Sequence, residues 1–331
     1  MGLVKNILYK LANKKFLPLF NKQVIFPYYH IVNDNLPEHI KHLYKFKNKT
    51  QFIHDIKILK NNYISLNPKD LLEKKTSKNQ FLLTFDDGLQ EIYSIIFPIL
   101  KENNINAIFF INPDFVDNNQ GLYKHYISTI LSKLELENFE KEKLENISKI
   151  FSFTFYSIAE FKQKLISIKY SEKEKVNEVL NLLNIDIKKY LIEQKPYVTK
   201  PQIQEMINAG FYFGGHTMSH PPLNQLNFEE QKSEILESIN WLKTNFGINY
   251  SMFAFPFTDK NISKKLLNEI FEYDKNILIF GNSGLKKDFD DRIIQRFSLE
   301  NPNKNTEKQI VKENLYKYFN ILTGKYSIKR K

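Results

Sequence analysis

The chain has 331 residues and no cysteine, with 48 Lys and Arg against 37 Asp and Glu, a formal net charge of +11. Its 42% hydrophobic content is too high for disorder, and its length allows one large domain or two ordinary ones. The lack of Cys excludes a disulfide scaffold, an iron–sulfur cluster, a Cys-ligated zinc and a thiol nucleophile. Any metal must therefore be held by His, Asp or Glu, and there are only seven His.

The start, MGLVKNILYKLANKKFLPLF, places apolar residues at 3, 4, 7, 8, 11 and 16, which predicts an amphipathic helix within 1–20. Residues 1–23 carry five lysines and no acid, and the last seven residues include Lys325, Lys329, Arg330 and Lys331. These basic termini are read either as solvated ends or as a peripheral contact with an anionic membrane surface. The start lacks the apolar run of a signal peptide, and no stretch reaches the length that spans a bilayer. The expected location is the cytoplasm or its membrane face. No groove-binding motif appears, so no nucleic-acid partner is expected. Oligomeric state is left open.

Seven short apolar runs follow, at 24–29, 81–85, 107–111, 211–215, 251–255, 276–280 and 292–297. Each has the length of a buried strand. Helical patterns at 51–62, 89–104, 201–210, 227–247 and 261–270 separate many of them. The alternation predicts an α/β fold, either a distorted (β/α) barrel with seven strand candidates or an open doubly wound sheet. Residues 122–195 contain no Gly and no Pro and read as helices. We take them as a helical insertion, a packing cap or a lid for a long substrate, within a single domain over 1–331.

Three motifs carry the chemistry. LLTFDDG at 82–88 ends an apolar run in Asp86 and Asp87. Adjacent carboxylates at a strand end need a metal, a proton or hydrogen bonds to compensate them. Their side chains point in different directions, so one can bind metal while the other faces substrate. GGHTMSHPP at 214–222 supplies His216 and His220. Two His and one Asp form a standard set for zinc or another divalent ion. MFAFPFTDKN at 252–261 places Pro256 and Phe257 after a strand, with the Phe257 N–H available to a developing oxyanion.

With these motifs the chain resembles the polysaccharide deacetylases, the family 4 carbohydrate esterases. That resemblance implies a distorted (β/α) barrel that removes N-acetyl or O-acetyl groups from sugar polymers. TFDDG at 84–88 is similar to the family's first motif, which implies Asp86 as catalytic base and Asp87 as metal ligand. HTMSH at 216–220 is similar to the second, which implies that His216 and His220 complete the metal triad. FAFPF at 253–257 is similar to the third, whose oxyanion donor matches the Phe257 N–H. The similarity covers residues 81–115 and 200–260 well and the rest loosely.

The departures are specific. The family's Arg two positions before the Pro is Ala254 here. Its late Leu-x-His, source of the general acid, is missing, because no His follows His220. The only Trp, Trp241, lies in a helical pattern and not after an Asp. His30, ending the early run FPYYHIV, is the best substitute acid or substrate contact, with His39 and His42 as weaker candidates. Arg296 is read as holding Asp86 or a substrate carboxylate, with solvent exposure the alternative. Asp259 is read as a cap or a site residue.

The resemblance thus implies a metal-dependent hydrolase, with zinc as the expected ion. Asp86 would activate water against the acetyl carbonyl of a polysaccharide or oligosaccharide. The alternatives are a catalytically impaired carbohydrate-binding protein on the same fold, and a metal-dependent amidase on another small substrate.

Overall fold

The apolar runs form one parallel sheet. In the computed structural model, which describes residues 2–20 and 22–331, the chain divides into two compact units. The first comprises the N-terminal segment through Asp34, Phe46–Pro113 and Val198–Lys331.

In chain order its strands are β1 (Pro27–Tyr29), β2 (Ile64–Ser65), β3 (Gln80–Phe81), β4 (Leu83–Phe85) and β5 (Ala107–Ile111). They continue with β6 (Tyr212–Gly215), β7 (Met252–Ala254), β8 (Leu278–Gly281), β9 (Ile293–Gln295) and β10 (Phe297–Ser298). Eight of them make the main sheet in the order β10-β1-β4-β5-β6-β7-β8-β9, while β2 and β3 pair separately. Every pairing is parallel.

The strand count differs from the seven candidates expected. The run at 292–297 is divided at Arg296, whose N–H donates to the Gly281 carbonyl. Upstream of it β9 pairs with β8, and downstream of it β10 pairs with β1. The two ends of the sheet order are therefore joined by one residue, and the sheet is a nearly closed barrel.

Ring contacts report the curvature. Phe110 on β5 and Phe280 on β8 lie 5.0 Å apart, although two strands stand between theirs in the sheet. Such a contact requires the sheet to wrap around its interior. The opposite face carries a row of register partners, Tyr29, Phe85, Phe109 and Phe213. Successive rings in this row are 5.9, 5.1 and 5.4 Å apart. Phe52, from the helix Lys49–Asn62, meets the Tyr29 ring at 5.3 Å and ties that helix to the sheet. Because both faces are covered, the strands read as continuous apolar runs.

The helix Phe228–Phe246 packs directly on β6. A Cβ on Gly215 would stand 2.2 Å from Ser238 Oγ, so only glycine permits this approach. The N-terminal helix Gly2–Leu11 lies along the C-terminal helix Thr306–Leu322. Lys5 Nζ is 3.5 Å from Glu313 and 4.9 Å above the Tyr316 ring. No helix among the described residues is long and apolar enough to cross a membrane.

The second unit comprises Asn35–Lys45 and Asp114–Tyr197. Its helices are Tyr123–Leu136, Lys141–Ile150, Ile158–Ile166, Lys173–Leu182 and Ile187–Gln194. Ile127, Ile130, Leu134, Phe161, Val176 and Val179 are buried within it. The segment expected as an insertion, 122–195, lies inside this unit.

Candidate metal centre

All main-sheet strands run the same way, so their C-terminal ends gather at one end of the barrel. The motifs lie there. β4 ends at Phe85, directly before Asp86 and Asp87, and β6 ends at Gly215, directly before His216. β7 ends at Ala254, two residues before Pro256, and β1 ends at Tyr29, directly before His30. Four of the fifteen non-glycine residues with left-handed backbone lie in these segments. Asp87, Thr217, His220 and Phe257 hold φ of +74°, +68°, +57° and +53°, a left-handed region that side chains disfavour.

The structure brings Asp87, His216 and His220 together, with one ligand atom from each within 4.8 Å of the others. Asp87 Oδ1 lies 3.3 Å from His216 Nε2 and 3.0 Å from His220 Nε2. His216 Nδ1 is 2.8 Å from the Ala254 carbonyl, which can only accept, so Nδ1 carries the proton. With the proton on Nδ1, the ring turns Nε2 towards Asp87. Burial lowers the His220 pKa despite the pull of Asp87. Burial alone would raise the Asp87 pKa, but the charges of His220 and His30 hold it well below its ordinary value. The buried Asp87 Oδ1 accepts no hydrogen bond. Lone pairs and one negative charge converging on a dry point fit a divalent cation.

The loop between the two His is held from both sides. Glu234, on the helix packed against β6, accepts from the Met218 and Ser219 N–H groups at 2.7 and 3.1 Å and from Ser219 Oγ at 2.8 Å. Asn112, just past β5, donates Nδ2 to the carbonyls of His216 and Thr217.

Asp86 faces a different partner. Arg296 grips it with two bonds, Nη1 to Oδ1 at 2.7 Å and Nη2 to Oδ2 at 2.9 Å. Arg296 is fully buried, bonds Thr84 Oγ1 and the Gly281 carbonyl, and lies 5.0 and 5.2 Å from the Tyr28 and Phe110 ring centroids. Burial would raise the Asp86 pKa, but Arg296, His216 and His30 outweigh it and hold it below its ordinary value. A guanidinium thus reaches Asp86 from the last strand run, while Ala254, where an Arg was expected by resemblance, lends its carbonyl to His216.

His30 is half-buried and ordered by Glu300. Its Nδ1 is 2.8 Å from Glu300 Oε2, while Glu300 Oε1 accepts from the N–H groups of His30 and Ile31. Burial would lower the His30 pKa, but Glu300, Asp87 and Asp86 together raise it to about 10. The Phe257 ring lies edge-on to His220 at 4.6 Å, and the residue is 47% exposed. It sits at the centre of a tight turn, in which Thr258 N–H donates to the Pro256 carbonyl. Asn282 Nδ2 donates to the Phe257 carbonyl.

Other candidates fall elsewhere. His39 and His42 belong to the helical unit, where His39 Nδ1 bonds Tyr190 Oη at 3.0 Å and its ring lies 5.4 Å from that of His125. Burial lowers the His39 pKa to about 4. Asp259 is a buried anchor paired with Arg330 at 2.8 Å and bonded by Gln295 and Ser283. Arg292 pairs with Asp290 at 2.6 Å and covers the Phe271 ring. Glu300, Glu234 and Asn112 were not picked out from the sequence, and Arg330, read there as part of a basic terminus, is held by Asp259 and Asp288.

Two measurements check this geometry. Metal analysis of the purified protein after loading is expected to find about one divalent ion per chain, and His216→Ala or Asp87→Ala to lose it. Arg296→Met leaves a buried carboxylate without its partner and is expected to cost about 3–5 kcal/mol in denaturant unfolding. Adding Asp86→Asn to that variant should recover part of the loss.

Residues 73–137 and 168–274 match the family model described as polysaccharide deacetylase. No curated protein matches the chain in sequence. Solved structures share its fold at low identity. A Streptococcus pyogenes deacetylase, PplD, in complex with acetate is 16% identical, with a TM-score of 0.55 over 86% of this chain and 96% of its own. IcaB from Ammonifex degensii is 16% identical, with a TM-score of 0.52 over 88% and 96%. A de-N-acetylase from Aggregatibacter actinomycetemcomitans is 17% identical, with a TM-score of 0.52 over 87% and 99%. With over half of its residues matched by the family model, and with the strand-end Asp and His motifs converging at one site, the chain belongs to the polysaccharide deacetylase family.

Proposed function

We propose that this metal-dependent carbohydrate deacetylase removes N-acetyl groups from a polysaccharide or oligosaccharide. The carrying observation is the convergence of Asp87, His216 and His220 at the barrel end where Arg296 clamps Asp86. We assign zinc as the ion, on the preference of two imidazoles and one carboxylate. A divalent ion held there supplies a Lewis acid that polarises an acyl oxygen and acidifies water.

The chain's own residues do the rest. Asp86, kept ionised by Arg296, takes the proton of the attacking water. The guanidinium fixes the carboxylate plane, so the base does not rotate out of position. The Phe257 N–H is assigned to the developing oxyanion, and the tight turn about that residue holds its direction. His30 is assigned as the general acid in place of the missing late His. Glu300 fixes the tautomer by accepting from Nδ1 and keeps the ring protonated, so Nε2 is assigned the proton for the leaving amine. The products are acetate and a free amino sugar. Acetate is also the ligand named in the S. pyogenes structure.

Acetate release from N-acetylated oligosaccharides by the zinc-loaded protein tests the reading. Asp86→Asn is expected to lower turnover by at least about a hundredfold while bound metal stays unchanged. No release from several N-acetylated substrates, by folded and metal-loaded protein, would refute the assignment. The pH profile tests His30. An acid must be protonated, so activity falls as pH rises through its pKa. Glu300→Gln removes the anion that raises this pKa and is expected to move the falling alkaline limb down by about one to two pH units. A limb that does not move excludes His30 as the acid.

A further inference from the structure

Eight of the nineteen large apolar side chains exposed among the described residues lie on two segments of the first unit, 2–20 and 306–322. Leu11, Leu19 and Leu322 are 67%, 63% and 86% exposed, and Phe16, Tyr318 and Ile321 are exposed beside them in sequence. The two segments are packed on each other. Phe20 and Tyr318 have ring centroids 6.0 Å apart, and Gln23 bonds both Asn314 and Lys317. Ala12, Leu17, Ile310, Val311 and Tyr316 are buried and supply the packing that holds the layer together. The exposed apolar residues are thus surplus to that docking and line the layer along its length.

Charge on the N-terminal segment and on the chain after Glu313 has one sign, and Glu307 and Glu313 are the only acids in the helix Thr306–Leu322. Residues 1–23 contain no acid, and none follows Glu313. Lys10, Lys14, Lys15, Lys22 and Lys325 are exposed, and none of them pairs with a carboxylate among the described residues. Arg330 is excluded from this set, because Asp259 and Asp288 hold it. A soluble polyanion would use the lysines and leave the leucines in water. A protein groove would use the leucines but has no need of one-sided charge. A bilayer interface with anionic headgroups takes both, the apolar side chains entering the acyl boundary and the lysines staying at the phosphates.

We propose that the layer formed by the N-terminal segment and the helix Thr306–Leu322 is a docking face for an anionic lipid bilayer. The helix Gly2–Leu11 lies along the surface, as neither helix is long and apolar enough to cross it. The face is separate in chain and composition from the metal centre, and the proposal stands whether or not the enzymatic reading does.

The test is sedimentation of the full-length protein with vesicles. Binding is expected to vesicles of phosphatidylcholine mixed with phosphatidylglycerol, and to fall at least about tenfold with pure phosphatidylcholine or at high salt. Two variants remove different halves of the face: Leu11→Glu with Leu19→Glu and Leu322→Glu, and Lys10→Glu with Lys14→Glu and Lys15→Glu. Each is expected to lose vesicle binding at least about tenfold with unchanged circular dichroism and thermal unfolding. No vesicle binding by the folded protein overturns the proposal. So does binding to dextran sulfate as tight as to vesicles and untouched by the leucine changes, which assigns the face to a soluble polyanion. So does a dimer in sedimentation velocity that the leucine changes make monomeric, which assigns it to a second copy of the chain.

Discussion

A charged guanidinium with no exposed surface lies inside this barrel, and its charge is cancelled by a single carboxylate. Everything at the strand ends depends on the bidentate pair of Arg296 and Asp86. Alone, either group would be prohibitively expensive to bury; together, with Thr84 and the Gly281 carbonyl taking further donors, they are tolerated. The pair keeps Asp86 anionic and oriented, and it spans the point where the sheet order closes. Asp87 is thereby left to the imidazoles. Two adjacent carboxylates in one dry pocket would otherwise repel, and each is instead neutralised by a separate cationic partner or site.

The metal ligands and Asp86 were legible because each sits in a short motif at the end of an apolar run. Asp86-Asp87-Gly88 and His216 to His220 need only a few residues of chain to declare their chemistry. Their supports were not legible, for a physical reason. Glu300 lies 270 residues from His30, Glu234 is one acid among several on an amphipathic helix, and Arg330 is one cation in a basic tail. A lone charge carries no periodicity, and only the fold gives it a partner. His39 and His42 are near His30 in sequence, and their bonds lie within the helical unit.

The barrel was legible from strands apolar on both faces, and its closure was not. RIIQRF reads as one strand, yet its two halves serve neighbours at opposite ends of the sheet order. No local signal marks such a change of partner, because the same side-chain pattern satisfies both. The same residue brings a guanidinium to the site although the third motif has none. Ala254 leaves the position small, and the guanidinium arrives from another strand. A buried Asp86 carboxylate requires a cation, whichever strand supplies it.

The separation of that pair along the chain has a consequence for biosynthesis. Asp86 and Arg296 are 210 residues apart. At about 5–20 residues per second, a ribosome exposes the carboxylate roughly 10–40 s before its counter-ion is made. During that interval the nascent sheet has the strands for the metal ligands but not the cation that pairs with Asp86. A carboxylate buried without that counter-ion is costly, so burial of Asp86 is coupled to the arrival of the strands that flank Arg296 and bring the two ends of the sheet order together.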